Sequence, residues 1–243
     1  MSRSNHRPES SEPSWGKRSD LDVLNRDIPR VDGPVKATGQ AVYTHDVRLP
    51  NMLWARLLIH PVPRAEIESI GLEAASEMPG VVHIEALKEP GDAVRYMGDD
   101  AVLAVVAAET PDQAADALRA IEVKARRLAP VVTPEQALEE GAPVVSRRRN
   151  ADSNVGRANE RGDEALADAA LAGAVAVVER SFEIPVQHHV CLETHGHVIQ
   201  PAPDDEPVTV YASTQSVGGT PRGLARTLGR DASRIRVLTP HMG

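Results

Sequence analysis

The chain has 243 residues, enough for one large domain or two smaller ones with cores of their own. Its formal charge of −8, from 27 basic and 35 acidic residues, excludes a general nucleic-acid binder, which needs a concentrated basic footprint to displace counterions from phosphate. Aromatic residues make up 2% with a single phenylalanine, so stacking platforms for bases are scarce and the core must be built from Val, Ala, Leu and Ile.

Residues 1–30 are polar, rich in Ser, Pro, Arg and Glu, and lack periodicity, which predicts a tail. The N-terminus has no apolar stretch of the kind a secretory signal needs, and nowhere does an apolar run approach the ~20 residues that span a bilayer. One cysteine, Cys191, rules out an internal disulfide framework and fits a reducing compartment. A cytoplasmic protein with no membrane partner is expected.

Structure is expected from Val31 onward. Residues 39–46 alternate weakly around Ala41 and Tyr43. After the Pro50-Asn51 turn, residues 52–59 are densely apolar with Arg56 as the only charge, which reads as a buried strand. Residues 67–72 predict a further strand, and residues 72–78 one or two helical turns stopped by Pro79-Gly80. Strands follow at 81–87 and 101–108, the second apolar throughout, as a central strand should be.

Two helix starts are well marked. Thr110-Pro111-Asp112-Gln113 and Thr133-Pro134-Glu135-Gln136 both place Thr at the N-cap and Pro at the first helical position, with Gln three residues after the cap. The first helix carries Ala114, Ala117, Leu118 and Ile121 on one side; the second ends near Gly141; residues 121–127 between them predict a strand. Residues 146–162 form a polar linker with five arginines, better read as a solvated connector than as a phosphate site. A helix is expected at 163–171, strands at 175–184, 190–199 and 208–213, a helix at 218–228 closed by Gly229, and a strand at 234–238. Helices and strands mix, and several adjacent strands lack crossover helices. The fold class expected is α+β in two units, split near residue 146.

The densest chemistry lies in residues 186–198, VQHHVCLETHGHV. In an extended segment His189, Cys191, Glu193, His195 and His197 would share one face, which suggests a transition-metal cluster. The outer pair would lie roughly 25 Å apart, too far for one ion, so only neighbours could bind together and plain packing competes with ligation. Cys191 near histidine also raises nucleophilic catalysis, but a cysteine in so apolar a strand is more often an inert hydrophobe. Ser216-Val217-Gly218-Gly219-Thr220 could hold an anion at a helix start; a helix cap is the commoner use, and P-loop spacing is missing.

Short motifs in order resemble the large subunit of the molybdenum hydroxylases, the xanthine dehydrogenase and aldehyde oxidase family. Arg30-Val31-Asp32, Lys36-Ala37-Thr38-Gly39, Ala41-Val42-Tyr43, Leu49-Pro50-Asn51-Met52-Leu53-Trp54-Ala55, Met78-Pro79-Gly80-Val81 and Tyr96-Met97-Gly98-Asp99-Asp100 resemble that family's small α/β hammerhead domain. Val186-Gln187-His188-His189, Leu192-Glu193-Thr194-His195-Gly196, Ser213-Thr214-Gln215 and His241-Met242-Gly243 resemble the opening of its molybdopterin-binding domain. The resemblance implies a tail (1–30), a hammerhead-like domain (31–145), a linker (146–162) and the incomplete beginning of the cofactor domain (163–243).

By the same resemblance, Gln187 is the glutamine beside the molybdenum centre, and Gly243 opens a glycine-rich loop whose backbone cradles the molybdenum–molybdopterin cofactor. The other histidines and Glu193 become supporting residues. The implied chemistry is hydroxylation of a heterocycle or aldehyde by water. Activity is expected only with the remainder of the large subunit, an iron–sulfur subunit and possibly a flavin (FAD) subunit, since one cysteine cannot hold an iron–sulfur cluster. An inactive remnant, or a His/Cys/Glu metal-binding module, is the alternative.

Overall fold

The computed structural model describes residues 21–24, 27–146, 152–156, 159, 161–204 and 206–243. Most of the expected tail and the arginines of the linker at 147–149 and 157 lie outside the described residues. The chain forms two compact units. One is Leu49–Pro185; the other joins the described residues up to Arg48 with Val186–Gly243. Residues 31–48, which open the expected first domain in sequence, thus pack with the C-terminal segment.

In chain order, α1 (Gly33–Ala37) and a 3₁₀ turn at Thr44–Asp46 precede β1 (Trp54–Ile59), β2 (Ala65–Gly71), α2 (Glu73–Ser76), β3 (Val81–Ala86) and β4 (Ala93–Val94). Next come β5 (Val102–Ala108), α3 (Pro111–Ala120), β6 (Glu122–Arg127), α4 (Pro134–Leu138) and α5 (Glu164–Ala172). The chain closes with β7 (His197–Gln200), β8 (Val208–Ala212), α6 (Thr220–Leu228) and β9 (Ile235–Leu238).

In the unit Leu49–Pro185, the sheets run β1-β5-β3 and β4-β2-β6, with every pairing antiparallel. β5 is central, as its unbroken apolar run requires, and its two faces enter two cores. Ala104 and Val106 pack with Ala75, Ala117 and Ile121 from the α2 and α3 side. Leu103 points the other way and packs with Ile67 and Val94 of the second sheet and with Ala101, just before β5. Fully burying each of the larger side chains contributes about 1.5–3 kcal/mol.

β1 is not the buried strand its composition suggests. It is an edge strand, and Leu57 and Ile59 are each 51% exposed. Only one neighbour, β5, takes its hydrogen bonds, and its partly buried Leu58 is the side chain that reaches the core.

The caps behave as their chemistry dictates. At α4 the Gln136 N–H donates to Thr133 Oγ1 (3.2 Å), while Gln136 Oε1 accepts from the Thr133 N–H (3.3 Å) and the Val132 N–H (2.9 Å). At α3 the Gln113 N–H donates to Thr110 Oγ1, but the Gln113 side chain takes the Thr110 hydroxyl rather than a backbone N–H. Thr133→Ala should therefore speed Gln136 amide exchange by about fivefold, equivalent to ~1 kcal/mol of local stability, and Thr133→Ser should restore it.

The strands expected at 175–184 and 190–196 do not form; from Gly173 to Gly196 there is no regular element, and only β7 survives of the second. A strand exists by pairing, and among the described residues no neighbour pairs with this run. Phe182, Ile184, Val186, Val190 and Leu192 alternate along it yet stay more than 80% exposed. Val190, with φ 49°, also turns the chain out of the extended region.

Candidate functional site

The site is built where a parallel pair of strands ends. β7 pairs antiparallel with β8, and β8 pairs parallel with β9 through the crossover helix α6. Val208, Val210 and Ala212 alternate with half-exposed residues, as do Ile235 and Val237, so one face of this sheet is apolar; Leu224, Ala225 and Leu228 of α6 cover it. Gly229, in the left-handed conformation at φ 61°, ends α6 and returns the chain to β9. In open sheets of this kind ligands bind beyond the carboxyl ends of the parallel strands. Those ends here are Ala212 and Leu238, followed by Ser213-Thr214-Gln215 and by residues 239–243.

Four segments converge there. Thr239 Oγ1 donates to the Ala212 carbonyl at 2.7 Å, tying the two strand ends together. The Ser213 N–H donates to the Gly196 carbonyl at 3.2 Å. Glu193 Oε1 accepts from the Ser213 hydroxyl at 2.9 Å, and its Oε2 accepts from the Gly243 N–H at 2.7 Å. A Cβ on Gly243 would lie 2.7 Å from Glu193 Cβ, so only glycine lets the backbone approach this closely. The Tyr43 ring packs on His241 with centroids 5.8 Å apart.

Ser216–Thr220 is a helix-start turn. Thr220 Oγ1 donates to the Ser216 carbonyl at 2.8 Å, and the Ser216 N–H donates to Thr214 Oγ1 at 3.0 Å. The Thr220 hydroxyl thus serves the turn itself.

Gln187 lies on the exposed irregular run, six residues before Glu193. Gly243 is held against Glu193. The metal-module alternative is corrected by the same geometry: residues 187–196 are not a strand, so the shared face of His189, Cys191, Glu193, His195 and His197 does not exist. Glu193 turns to Ser213 and Gly243, and among the described residues no group of three or more His, Cys, Asp or Glu could hold an ion. Sequence reasoning missed Ser213 and Thr239 as partners. The only local signal was a hydroxyl residue directly after each parallel strand.

A group held by backbone and neutral donors fits this place. His241 Nδ1 and Thr44 Oγ1 are buried atoms without a hydrogen-bond partner among the described residues, and Gly243, close to His241 in sequence, lies exposed. Ligation by thiolates does not fit, since Cys191 is the sole cysteine.

Comparison with known proteins bears on the same segments. The profile of the family "Aldehyde oxidase and xanthine dehydrogenase, a/b hammerhead domain" matches residues 38–91, and that of the "Molybdopterin cofactor-binding domain" matches residues 148–243. The chain belongs to the molybdenum hydroxylase large-subunit family. Its fold is a hammerhead domain followed by the start of the molybdenum-binding domain.

Among relatives in this family, a probable xanthine dehydrogenase subunit of Bacillus subtilis is 34% identical over 88% of this chain and 30% of its own length. The nicotinate dehydrogenase large molybdopterin subunit of Eubacterium barkeri is 30% identical over 92% of this chain and 55% of its own. The reconstituted CO dehydrogenase of Oligotropha carboxidovorans shares the fold, with a TM-score of 0.77 at 23% identity, over 89% of this chain and 30% of that one. The chain thus spans 30% to 55% of these relatives' own length. No helix among the described residues is long and apolar enough to cross a membrane.

Proposed function

We propose that this chain contributes the hammerhead domain and the opening of the cofactor domain to a molybdopterin-dependent oxidoreductase whose site is completed by further polypeptide. The reaction is hydroxylation of a heterocycle or aldehyde: a C–H bond and water become C–OH, with two protons and two electrons released. The observation that carries this reading is the order of two family matches on one chain, hammerhead then molybdopterin-binding. When bound, the molybdenum cofactor supplies the two-electron redox centre.

This chain's own residues position that group. The Gln187 amide offers a neutral donor and acceptor, which would suit the polar edge of the cofactor without adding charge. Gly243 offers a backbone that can be approached closely. The electrons must leave through groups held elsewhere, because iron–sulfur clusters need several thiolates and this chain has one cysteine. An iron–sulfur subunit, a flavin subunit and the remainder of the large subunit are the partners this implies; a cytoplasmic location goes with them. Metal analysis of the complex co-purified with this chain is the test. Molybdenum near one per copy of the chain is expected, and a complete complex without molybdenum overturns the proposal.

A further inference from the structure

We infer that Glu193 is a positioning residue for the cofactor-binding turn, its carboxylate latching the Gly243 backbone to the end of the parallel strands; the inference rests on the cofactor reading above. One carboxylate serves two donors from segments far apart in sequence, the Ser213 hydroxyl at 2.9 Å and the Gly243 N–H at 2.7 Å. Ser213 follows Ala212, the last residue of β8, whose carbonyl already takes the Thr239 hydroxyl at 2.7 Å. The segment after β9 is therefore held at two points, Thr239 and Gly243.

The residue types match the task. A carboxylate has two oxygens that accept at once, and bonds from neutral donors to it are charge-assisted. Gly243 comes close enough because no Cβ intervenes: the place a Cβ would take is 2.7 Å from Glu193 Cβ and 3.4 Å from the Glu193 nitrogen. A backbone ordered beforehand loses less freedom when a ligand binds it, so the latch raises retention of a group held by this turn.

The test uses the assembled enzyme containing the full chain, read by amide exchange at Gly243 and by molybdenum content. Glu193→Ala should raise Gly243 exchange by about tenfold or more, leaving Val210 in β8 unchanged. It should also lower the molybdenum content by about tenfold, the scale of losing a residue that orients a metal site from behind. Glu193→Gln should restore both readouts, because its amide oxygen can take the Gly243 N–H while its amide nitrogen donates to the Ser213 oxygen. Wild-type exchange in Glu193→Ala overturns the inference. If Glu193→Ala does not fold, Ser213→Ala reads the same latch: severalfold faster Gly243 exchange supports it, and no change overturns it. A wild-type complex lacking molybdenum would defeat the functional proposal, and Gly243 exchange would still decide the latch.

Discussion

Replacing Leu103 with alanine should destabilise the unit Leu49–Pro185 by about 2–5 kcal/mol, the largest loss expected from a single side-chain truncation in this chain. Leu103 is 1% exposed on the central strand β5, packed with Ile67, Val94 and Ala101, with Leu58, Ile70, Val123 and Ala125 beside them. It is where the two sheets of that unit meet. It also lines a solvent-open pocket of about 360 Å³ with Leu58, Val62, Val123 and Ala125.

Leu103→Met, which conserves volume and adds flexibility, should cost under ~1.5 kcal/mol. Val105→Ala, on the partly exposed face of the same strand, should cost about 1 kcal/mol. Urea unfolding with an unchanged slope is the measurement. A Leu103→Ala loss below that of Val105→Ala would mean that the two sheets are not packed through this residue.

Arg230→Ala should cost about 2 kcal/mol in the other unit, through hydrogen bonds rather than through an ion pair. Arg230 follows Gly229 at the end of α6. Its Nη1 donates to the carbonyls of Pro203 (3.1 Å) and Glu206 (3.3 Å), and its Nη2 donates to the Ala202 carbonyl (2.8 Å) and to Asp204 Oδ1 (3.0 Å). The guanidinium is 20% exposed, whereas the Asp204 side chain is fully in solvent. The carboxylate contact is therefore screened and worth little.

What the planar fork does is hold the loop leading into β8 against the end of α6, which fixes the strand's entry on the side opposite the Glu193 latch. Arg230→Lys should recover less than half of the loss, since a single ammonium cannot span carbonyls that the fork reaches with two nitrogens. Asp204→Ala should change stability by no more than ~0.5 kcal/mol. Thermal unfolding of the three variants side by side separates these effects; equal losses from Asp204→Ala and Arg230→Ala would make the ion pair the cause after all.

Short-range features were legible in the residues. Thr-Pro-x-Gln marks the starts of α3 and α4 because a hydroxyl cap and a donor-free proline satisfy the first turn locally. The apolar run of β5 announces a central strand, since only a strand covered on both faces tolerates it. Gly229 announces the end of α6 because the left-handed turn there suits glycine. The ordered motifs from Arg30 to Gly243 were likewise sufficient for the family.

Pairing was not legible. Residues 52–59 and 101–108 both look apolar to a local reading, yet the first becomes an edge strand and the second the central one, because pairing depends on neighbours tens of residues away. Residues 175–184 carry strand composition and form none, because a strand is stabilised by a partner and not by its own sequence. Glu193 is the sharpest case. By spacing it belonged with His189, Cys191 and His195 in a row of ligands; in the fold it binds Ser213, 20 residues on, and Gly243, 50 residues on. The amino-acid sequence by itself determined the capped helices, the central strand and the family, all set by short stretches of neighbouring residues. Only the tertiary structure decided the sheet edges, the packing of residues 31–48 with the C-terminal segment, and the partners of Glu193, since each depends on hydrogen bonds closed across long loops.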